Sequence, residues 1–549
     1  MYVDIAYKKQ NGKSYKRTLL RENYRDNGKV KHRTIANISK CSDDEIEAIK
    51  LALKHKGDLT RVGSFKDKVQ SKQGLSVGAI VMLKTLADRL NITKALGRSI
   101  MGKLALWQIM ARVIEQGSRL SAVRLAQRHA VCDLLGLDGF TEDTLYENLD
   151  WLCDNQDIIE KRLFKMRYEN KEVPRLFLYD VTSSYLEGVE NELGDWGYNR
   201  DGKKGKLQIV IGLLTDAEGV PVSVEVFKGN TNDTKTFLNQ IKKIAGRFKV
   251  KEVTMVGDKG MIKSTQIEDL RDEEFNYITS ITKPQIETLI KKETLQFELF
   301  SEELCKIVSD KIRYILRKNP QRVKEIEKTR QEKIEKVQKL VKEQNKYLLE
   351  HKKAKVSAAQ KRVENLLEKL KVSNYTEVKS EGRGLSLKID AEKKRKEARL
   401  DGCYVIKTEL KEDISAETIH QRYKSLSLVE HGFRTMKTGL LETRPIFVRK
   451  EKRTRGHVLV VMLAYLIIHE LQKLWSEMDI TVEEGIAELT TIGSLEIKIG
   501  ETSYNQIPQP TALGEQLLNL ANVNLPSAIP HTDKKVATKR KLPSRRNKL

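Results

Sequence analysis

A regular spacing of apolar residues between Tyr423 and Lys437 predicts an amphipathic helix of about four turns. Polar residues repeat every seven positions beside the apolar face, and place Tyr423, Glu430 and Lys437 on one line, with Arg434 one turn after Glu430. Glu430 is therefore expected at the margin of a buried face, flanked by cations. The apolar positions are Leu426, Val429, Phe433, Met436 and Leu440.

Two interpretations of this helix stay open on spacing alone. It is either a core helix with a solvated charged edge, or an element that holds a carboxylate rigidly within reach of solvent or a metal. Gly432 in mid-helix costs roughly 1 kcal/mol relative to Ala, which indicates close packing at that point.

The amino-terminal third changes from strand patterns to helix patterns. Residues 1–60 are predicted to form a small basic β-rich unit with turns at Asn11-Gly12 and Asn27-Gly28. Residues 61–170 are predicted to be a helical, DNA-binding domain. Within it, residues 121–129 followed by 141–152 fit either a helix-turn-helix or a plain helical bundle, with Thr141 or Asp143 as a helix cap.

After Pro174 the pattern changes to strands. Residues 176–185, 207–214 and 222–227 are expected strands, the last two forming a hairpin, and a helix covers 233–248. A short strand at 253–256, a helix and a strand at 277–281 follow. This order predicts a mixed α/β sheet over 171–284 rather than a doubly wound one.

A charged stretch at 285–400 interrupts this core. Its apolar residues approximate a heptad seam, which predicts two antiparallel helices joined near residues 354–360. Its lysines are either a solvated face or an arm that contacts DNA. Residues 401–480 return to the core, and 481–549 form a carboxyl-terminal region whose basic tail begins at Asp533 and could contact phosphate.

Composition points to a polyanionic partner. The net charge is +25 and the pI is about 9.5, which favours nucleic acid over the alternatives of a basic coiled-coil scaffold or a membrane-surface protein. Five scattered cysteines indicate neither a disulfide framework nor a zinc site, so a reducing compartment is expected. The first residues do not read as a signal peptide, and the apolar run 458–468 is too short to cross a bilayer.

Two aspartates lie where strands seldom place them. Asp180 follows the apolar run 176–179, and Asp258 follows the strand 253–256. Either alone would more often be a turn or capping residue. Together with Glu430 they suggest a site for Mg²⁺ or Mn²⁺, because these ions prefer carboxylate and water oxygens.

Several segments resemble DDE transposases of bacterial insertion sequences, in the branch marked by Y-x2-R-x3-E-x6-K. The likeness spans most of the chain, and its most specific part is YKSLSLVEHGFRTMKTGLLETRPIFV at 423–448. Further matching segments are LYDVTSSYLEG at 178–188, GLLTDAEGVPVSVEVFKGNTND at 212–233, VGDKGM at 256–261 and DGCYVIKT at 401–408.

The resemblance implies a multidomain α+β protein with an RNase H-like catalytic core, interrupted by an insertion that is more helical than that of the best-known relatives. It also assigns residues. Asp180, Asp258 and Glu430 become the metal-binding catalytic triad, holding two ions. Tyr423 and Lys437 become contacts to transposon-end DNA, with Arg434 as a further phosphate contact. Leu426 stands where the signature has Arg.

The implied activity is cut-and-paste transposition. Metal-activated water cleaves at the element's end, the freed 3′-hydroxyl forms and reopens a hairpin, and the 3′ end joins target DNA. The implied partners are terminal inverted repeats and target DNA, bound by a homodimer in the bacterial cytoplasm at the nucleoid, with no membrane. Two alternatives remain at this point: an RNase H-like nuclease without strand transfer, and a basic DNA-binding protein whose carboxylates no longer work.

Overall fold

The computed structural model describes residues 1–10, 13–57, 69–444, 446–499, 502–529, 536 and 538. The cations of the basic tail lie outside the described residues. The chain divides into two compact units, and each is described by itself. One unit contains 1–81, 128–136 and 488–534, and the other contains 82–127, 137–487 and 535–549.

The amino-terminal strands form as predicted, while the predicted turn at Asn11-Gly12 lies outside the described residues. β1 (Tyr2–Gln10), β2 (Lys13–Asp26) and β3 (Lys29–Asn37) make a three-stranded antiparallel sheet within the described residues. Asn27 and Gly28 both have positive φ, 42° and 74°, which a two-residue hairpin turn requires. α1 (Asp43–Lys54) follows, and Ser42 and Glu45 cap its start reciprocally.

β4 (Val69–Ser76) lies inside the range 61–170 predicted as helical, so that prediction is wrong for 69–76, where the strand pairs with the distant residues 493–499. The helices that follow agree with the prediction. Thr141 caps the longest of them by accepting a hydrogen bond from Thr144 N. A short additional helix, 131–135, occupies the gap of the suggested helix-turn-helix. The helices are α2 (Gly78–Arg89), α3 (Ile92–Leu96), α4 (Ile100–Ile114), α5 (Arg119–Ala126), α6 (Val131–Leu135) and α7 (Glu142–Arg167).

The core strands are β5 (Leu176–Tyr185), β6 (Gln208–Thr215), β7 (Pro221–Lys228), β8 (Thr254–Val256) and β9 (Asn276–Ser280). They lie in the order β7-β6-β5-β8-β9, with β5, β8 and β9 parallel and the β5–β6–β7 meander antiparallel. This is the strand order of an RNase H-like sheet, so the mixed α/β prediction is confirmed.

Helices cover this sheet and close its core. α8 (Asp233–Lys242) continues as one π-helical turn at Lys243–Phe248, and α9 (Ser264–Asp272) and α10 (Lys283–Lys291) follow. Phe237 and Ile244 from the first of these pack with Phe177 and Tyr179 of β5 in one buried cluster. Tyr179 and Val181, the two neighbours of Asp180 in β5, both belong to this cluster. The strand is therefore fixed by packing on either side of Asp180.

The sheet extends further than the sequence predicts. β10 (Cys305–Ser309) and β11 (Ile312–Lys318) fall inside the range predicted as helical insertion, yet they join the core sheet beside β14 (Cys403–Thr408). Within the described residues the sheet has eight strands, ordered β10-β11-β14-β9-β8-β5-β6-β7. The expected helical character of 285–400 is therefore wrong for 305–318, because strand pairing with residues 403–408 lies beyond any local pattern.

The helical part of the insertion is a small structure with its own core. α11 (Pro320–Glu350) and α12 (Val356–Leu370) pack together through Ile334, Val337 and Val363, as the heptad pattern predicts. The hairpin β12 (Thr376–Glu381) and β13 (Gly384–Ile389) joins that core, and α13 (Ala391–Ala398) precedes the return to the sheet. The domain bounds themselves stay predictions.

The remaining elements are α14 (Ala416–Lys424), α15 (Leu426–Lys437), α16 (Glu451–Leu474), α17 (Val482–Thr491), β15 (Gly493–Ile499), β16 (Thr502–Gln506) and α18 (Ala512–Leu520). Of the described helices, α16 alone is long and apolar enough to cross a membrane, but 72% of its apolar window is buried inside the protein. Such burial is typical of a core helix.

Candidate active site

Asp180 lies in β5, the central strand of the sheet, after three fully buried residues, Phe177 to Tyr179. Its side chain is half-buried, and Oδ1 accepts a hydrogen bond from Val181 N at 2.8 Å. Burial, with a smaller contribution from the carboxylates of Glu430 and Asp258, raises the pKa of Asp180 to about 7, although the hydrogen bond from Val181 N and the charge of Arg200 act in the opposite direction. A carboxylate whose charged form is disfavoured by its surroundings is common at functional sites.

Asp258 stands at the matching position of the neighbouring strand. β5 and β8 are parallel, with Leu178 paired to Val256, and each aspartate follows its member of that pair by two residues. The backbone at Gly257 is closely packed, because a Cβ there would lie 3.1 Å from the side chain of Ile262. Asp258 is exposed, two residues beyond the carboxyl end of β8.

Glu430 approaches from α15, which packs on β5 and β6. Val429, Phe433 and Met436 are buried while Glu430 is exposed, which confirms that it lies at the margin of a buried face. Gly432 is closely packed, because a Cβ there would lie 3.2 Å from Tyr465.

The single four-turn helix predicted over 423–437 is wrong. The helix is interrupted at Ser425, so Tyr423 lies in α14 while Glu430, Arg434 and Lys437 lie in α15. The Ser425 hydroxyl donates to Gln421 O at 3.1 Å, and Leu428 N bonds back only to Ser425 O. Such side-chain bonds to the preceding turn bend helices.

The three carboxylates line one cleft of about 430 Å³. Two further acids, Asp201 and Asp233, also line it. The cleft is lined by cations as well as acids; the cations are Arg200, Arg434, Lys437 and Arg444. Among the described residues no group of three or more His, Cys, Asp or Glu side chains is gathered tightly enough to hold a metal ion.

Tyr423 touches one of the carboxylates. Its hydroxyl donates to Asp258 Oδ1 at 3.3 Å and lies 2.8 Å from the hydroxyl of Ser280, at the end of β9. Burial raises the pKa of the phenol, so it stays protonated and able to donate. Tyr423 therefore fixes the position of Asp258.

Lys437 is buried, with 9% of its surface exposed. Its ammonium contacts Asp201 Oδ1 at 2.5 Å, Ser183 O at 2.7 Å and Thr182 Oγ1 at 3.0 Å. Burial lowers its pKa despite the partly opposing effect of Asp201. Arg434, by contrast, is exposed in the cleft and has no ion pair within the described part of the chain.

Sequence reasoning missed the residues that support these groups. Asp201 has a side chain only 1% exposed, and it accepts from both Lys437 and Arg444. Arg200 donates hydrogen bonds to both carboxylate oxygens of Asp233, at 2.9 and 2.8 Å. Arg200 and Asp201 belong to a polar connection between β5 and β6. Asn, Asp and Gly are common in such connections because they favour turns, so the sequence gives no separate signal for the role of these two residues.

Two family models match the chain. "IS1634 family transposase, N-terminal domain" matches residues 3–62, and "Transposase DDE domain" matches residues 171–467, more than half of the chain. The chain belongs to the DDE transposase family. The second match contains Asp180, Asp258 and Glu430, together with the insertion, and the first covers the amino-terminal sheet and α1.

The other comparisons add little to this assignment. The transposase is similar to the cryo-EM structure of a piggyBac transposase synaptic complex with hairpin DNA, at 10% identity and a TM-score of 0.36. That likeness covers 81% of this chain and 76% of the other, and it is too weak to carry an argument. A search of curated proteins found no match.

The family assignment fixes the general activity. The protein is a transposase of the insertion-sequence type, an enzyme that cleaves DNA and transfers strands. DNA is accordingly its partner, and the DDE domain implies the use of a divalent metal.

Proposed function

We propose that Asp180, Asp258 and Glu430 are the catalytic carboxylates of cut-and-paste transposition. The observation that carries this is their convergence: they come from β5, from the end of β8 and from α15, and line one cleft. Sheet register supports the pairing of the two aspartates, since each follows the Leu178–Val256 pair by two residues. Helix packing independently brings Glu430 to the same place.

The chemistry of the donor set fits Mg²⁺ or Mn²⁺, because the three side chains offer only carboxylate oxygens. The raised pKa of Asp180 supports the fit, since a bound cation would favour the charged form that burial now disfavours. Bound ions, two in this proposal, would supply an activated water or hydroxyl and stabilise the leaving oxygen. The three side chains are not gathered for this in the free protein, so DNA and metal complete the site together.

Three further residues in or beside the cleft would bind DNA or position the groups that act on it. Arg434 is exposed and unpaired within the described residues, which makes it the best placed of the predicted DNA contacts. Tyr423 holds Asp258 through its hydroxyl while remaining beside the cleft. Lys437 reaches DNA only if its ammonium group leaves Asp201. Without DNA, it connects α15 to β5 through its hydrogen bond to Ser183 O.

The remaining parts of the proposal concern the assembly. The DNA partners are double-stranded terminal inverted repeats and target DNA, held by a homodimer on paired ends. The net charge of +25 supports association with the nucleoid in the bacterial cytoplasm.

The test is a reaction with DNA that carries the ends of the element, in Mg²⁺, Mn²⁺ or EDTA, with products resolved on a denaturing gel. We expect metal-dependent nicks at the ends, then hairpins and joined products. Asp258→Asn should abolish all three, while Asp272→Asn, a change of equal charge on an exposed residue of α9, should leave them intact. Cleavage without joining would reject strand transfer, and equal activity of the two variants would remove Asp258 from the site.

A further inference from the structure

The strand that leads into the insertion carries two arginines on the same face of the sheet. Arg313 and Arg317 are four residues apart in β11, and side chains alternate between the two faces of a strand, so both point to one side. Tyr314 and Leu316 point to the other side, where they belong to a buried apolar cluster. The two arginines therefore lie on the face opposite this cluster, where they have different partners.

Arg313 is buried and bonds only to the backbone. It is 2% exposed, and no acidic side chain in the described part of the chain forms an ion pair with it. Its guanidinium donates from Nη1 to Lys411 O at 2.6 Å and from Nη2 to Ile414 O at 2.7 Å, with a longer contact of 3.4 Å to Leu410 O. Burying a cation is costly unless hydrogen bonds compensate, so these contacts hold the backbone of residues 410–414 in one conformation.

α14 begins directly after the segment that Arg313 holds. Ser415, the next residue, caps α14 by accepting a hydrogen bond from Thr418 N at 3.1 Å. Near the middle of the helix, Nε2 of His420 lies 2.5 Å from the hydroxyl of Tyr404 in β14, and the two rings are stacked with their centres 5.9 Å apart. α14 is therefore attached to the sheet at its start and near its middle.

Tyr423 lies at the far end of α14 from the segment that Arg313 holds. The helix has nine residues and is about 13 Å long, so a small tilt at its start displaces its last turn. The Tyr423 hydroxyl donates to Asp258 Oδ1 at 3.3 Å, which is longer than the roughly 2.5–3.0 Å of an ordinary hydrogen bond between two oxygens. A slight further displacement away from Asp258 would end this contact. The position of α14 therefore decides whether the two groups meet.

We propose that Arg313 is a positioning residue for the cleavage reaction. It fixes the backbone before α14 and thereby places the Tyr423 hydroxyl on Asp258, without contacting DNA or metal itself. The inference rests on the proposed function, because the placement of Asp258 matters to the reaction only if Asp258 is a catalytic carboxylate. It also gives the strand that leads into the insertion a role in the catalytic core.

The shape of the arginine side chain makes the proposal testable with one conservative change. The planar guanidinium reaches the carbonyls of Lys411 and Ile414 with two separate nitrogens, whereas a lysine ammonium is a single point donor. Arg313→Lys therefore keeps the charge and loses this double contact. Arg317→Lys is the matched control on the same strand and face, because Arg317 donates to Glu302 O at 2.9 Å and its contact with His420 in α14 is 3.5 Å long.

The measurement is the single-turnover rate of cleavage at an element end, with saturating DNA and Mg²⁺, well below the Tm of every variant. We expect Arg313→Lys to slow cleavage about tenfold and to leave the Kd for the same DNA in EDTA unchanged. In the Tyr423→Phe background the same change should slow cleavage by about twofold at most, because the hydroxyl that Arg313 positions is gone. Arg317→Lys should leave the rate unchanged in both backgrounds.

Hydrogen exchange in EDTA gives a readout that does not depend on cleavage. Arg313→Lys should speed the exchange of the α14 amides and leave those of α9 as they are, and Arg317→Lys should change neither. A wild type that does not cleave, or an Asp258→Asn variant that does, would reject the proposed function and leave this comparison intact.

Equal slowing by Arg313→Lys with and without the Tyr423 hydroxyl would overturn the proposal, because Arg313 would then act on the structure in general. The proposal would also be wrong if Arg313→Lys cleaved at the wild-type rate, if exchange in α14 were unaltered, or if Arg317→Lys had the same effects. If Arg313→Lys fails to fold, Arg313→Gln replaces it in the same comparisons, since its amide keeps a single donor group.

Discussion

The ammonium group of Lys437 lies 2.5 Å from Oδ1 of Asp201, a carboxylate that Arg444 also contacts. This relationship changes what a mutation at Lys437 measures. Lys437→Met should destabilise the protein, because Asp201 keeps a buried charge with one partner fewer. In the double mutant with Asp201→Asn, the two losses should be non-additive, with a coupling of about 1–3 kcal/mol by denaturant unfolding.

The same pair of variants tests the predicted DNA contact. If Lys437 leaves Asp201 to bind the transposon end, the double mutant should recover stability without recovering end processing. Recovery of both would make Lys437 a positioning residue only. Additive losses of stability would contradict the ion pair itself.

Tyr423→Phe removes one hydroxyl and keeps the ring. Because that hydroxyl bonds Ser280 and lies beside Asp258, we expect a loss of about 1 kcal/mol in stability and slower cleavage at the ends. Binding to non-specific duplexes should be unchanged. Tyr423→Ala should lose more of both stability and end processing, and end processing at the wild-type rate in both variants would refute a role for this face of the cleft.

The carboxylates should differ in their effect on the metal-free protein. Asp180→Asn should stabilise it at neutral pH by about 1 kcal/mol, because burial is the main cause of the raised pKa of Asp180 and the charged form is disfavoured. Asp258→Asn should have a smaller effect, since Asp258 is exposed. Both should abolish cleavage.

Melting with and without Mn²⁺ completes that comparison. A cation that binds the folded state raises Tm by mass action, so the wild type should gain more than either variant. Equal gains in wild type and Asp180→Asn would show that the ions bind elsewhere. The Tm ranking in EDTA is a separate readout and does not depend on cleavage.

Gly432→Ala should destabilise the protein by about 1–3 kcal/mol, although alanine favours helices by roughly 1 kcal/mol. The added methyl would lie 3.2 Å from Tyr465 and 3.3 Å from Leu213, so these side chains or α15 would have to shift by a few tenths of an ångström, and a shift of α15 would displace Glu430. Cleavage should fall together with stability. Gly246→Ala is the control, because nothing lies within 4 Å of a Cβ there. If Gly432→Ala stabilised the protein instead, α15 would not be closely packed at this position.

Sequence patterns predict those parts of the proposed site that depend on local structure. Asp180 and Asp258 were visible because an aspartate within or directly after an apolar strand breaks a regular pattern. Glu430 was visible because it borders an apolar helix face. The β5–β9 core followed from strand and helix order, since short connections restrict its topology.

Other features depend on contacts between distant residues, and no local pattern reports them. Asp201 looks like any turn residue until Lys437 and Arg444 meet it. β11 pairs with β14 across the whole insertion, so its place in the sheet could not be read from residues 312–318. The break at Ser425 was hidden because the seven-residue spacing of Tyr423, Glu430 and Lys437 runs through it, and neither Pro nor Gly stands at that point.

One hydrogen bond, from Asn319 N to Gly402 O at 2.9 Å, closes the base of the insertion where β11 and β14 lie side by side. Residues 320–401 thus leave and re-enter the sheet at a single point. A tight turn could replace this whole excursion and leave an ordinary hairpin at that edge. Because both ends of the inserted segment lie at this point, a change in its length or secondary structure would not by itself alter the register of the strands that carry the aspartates.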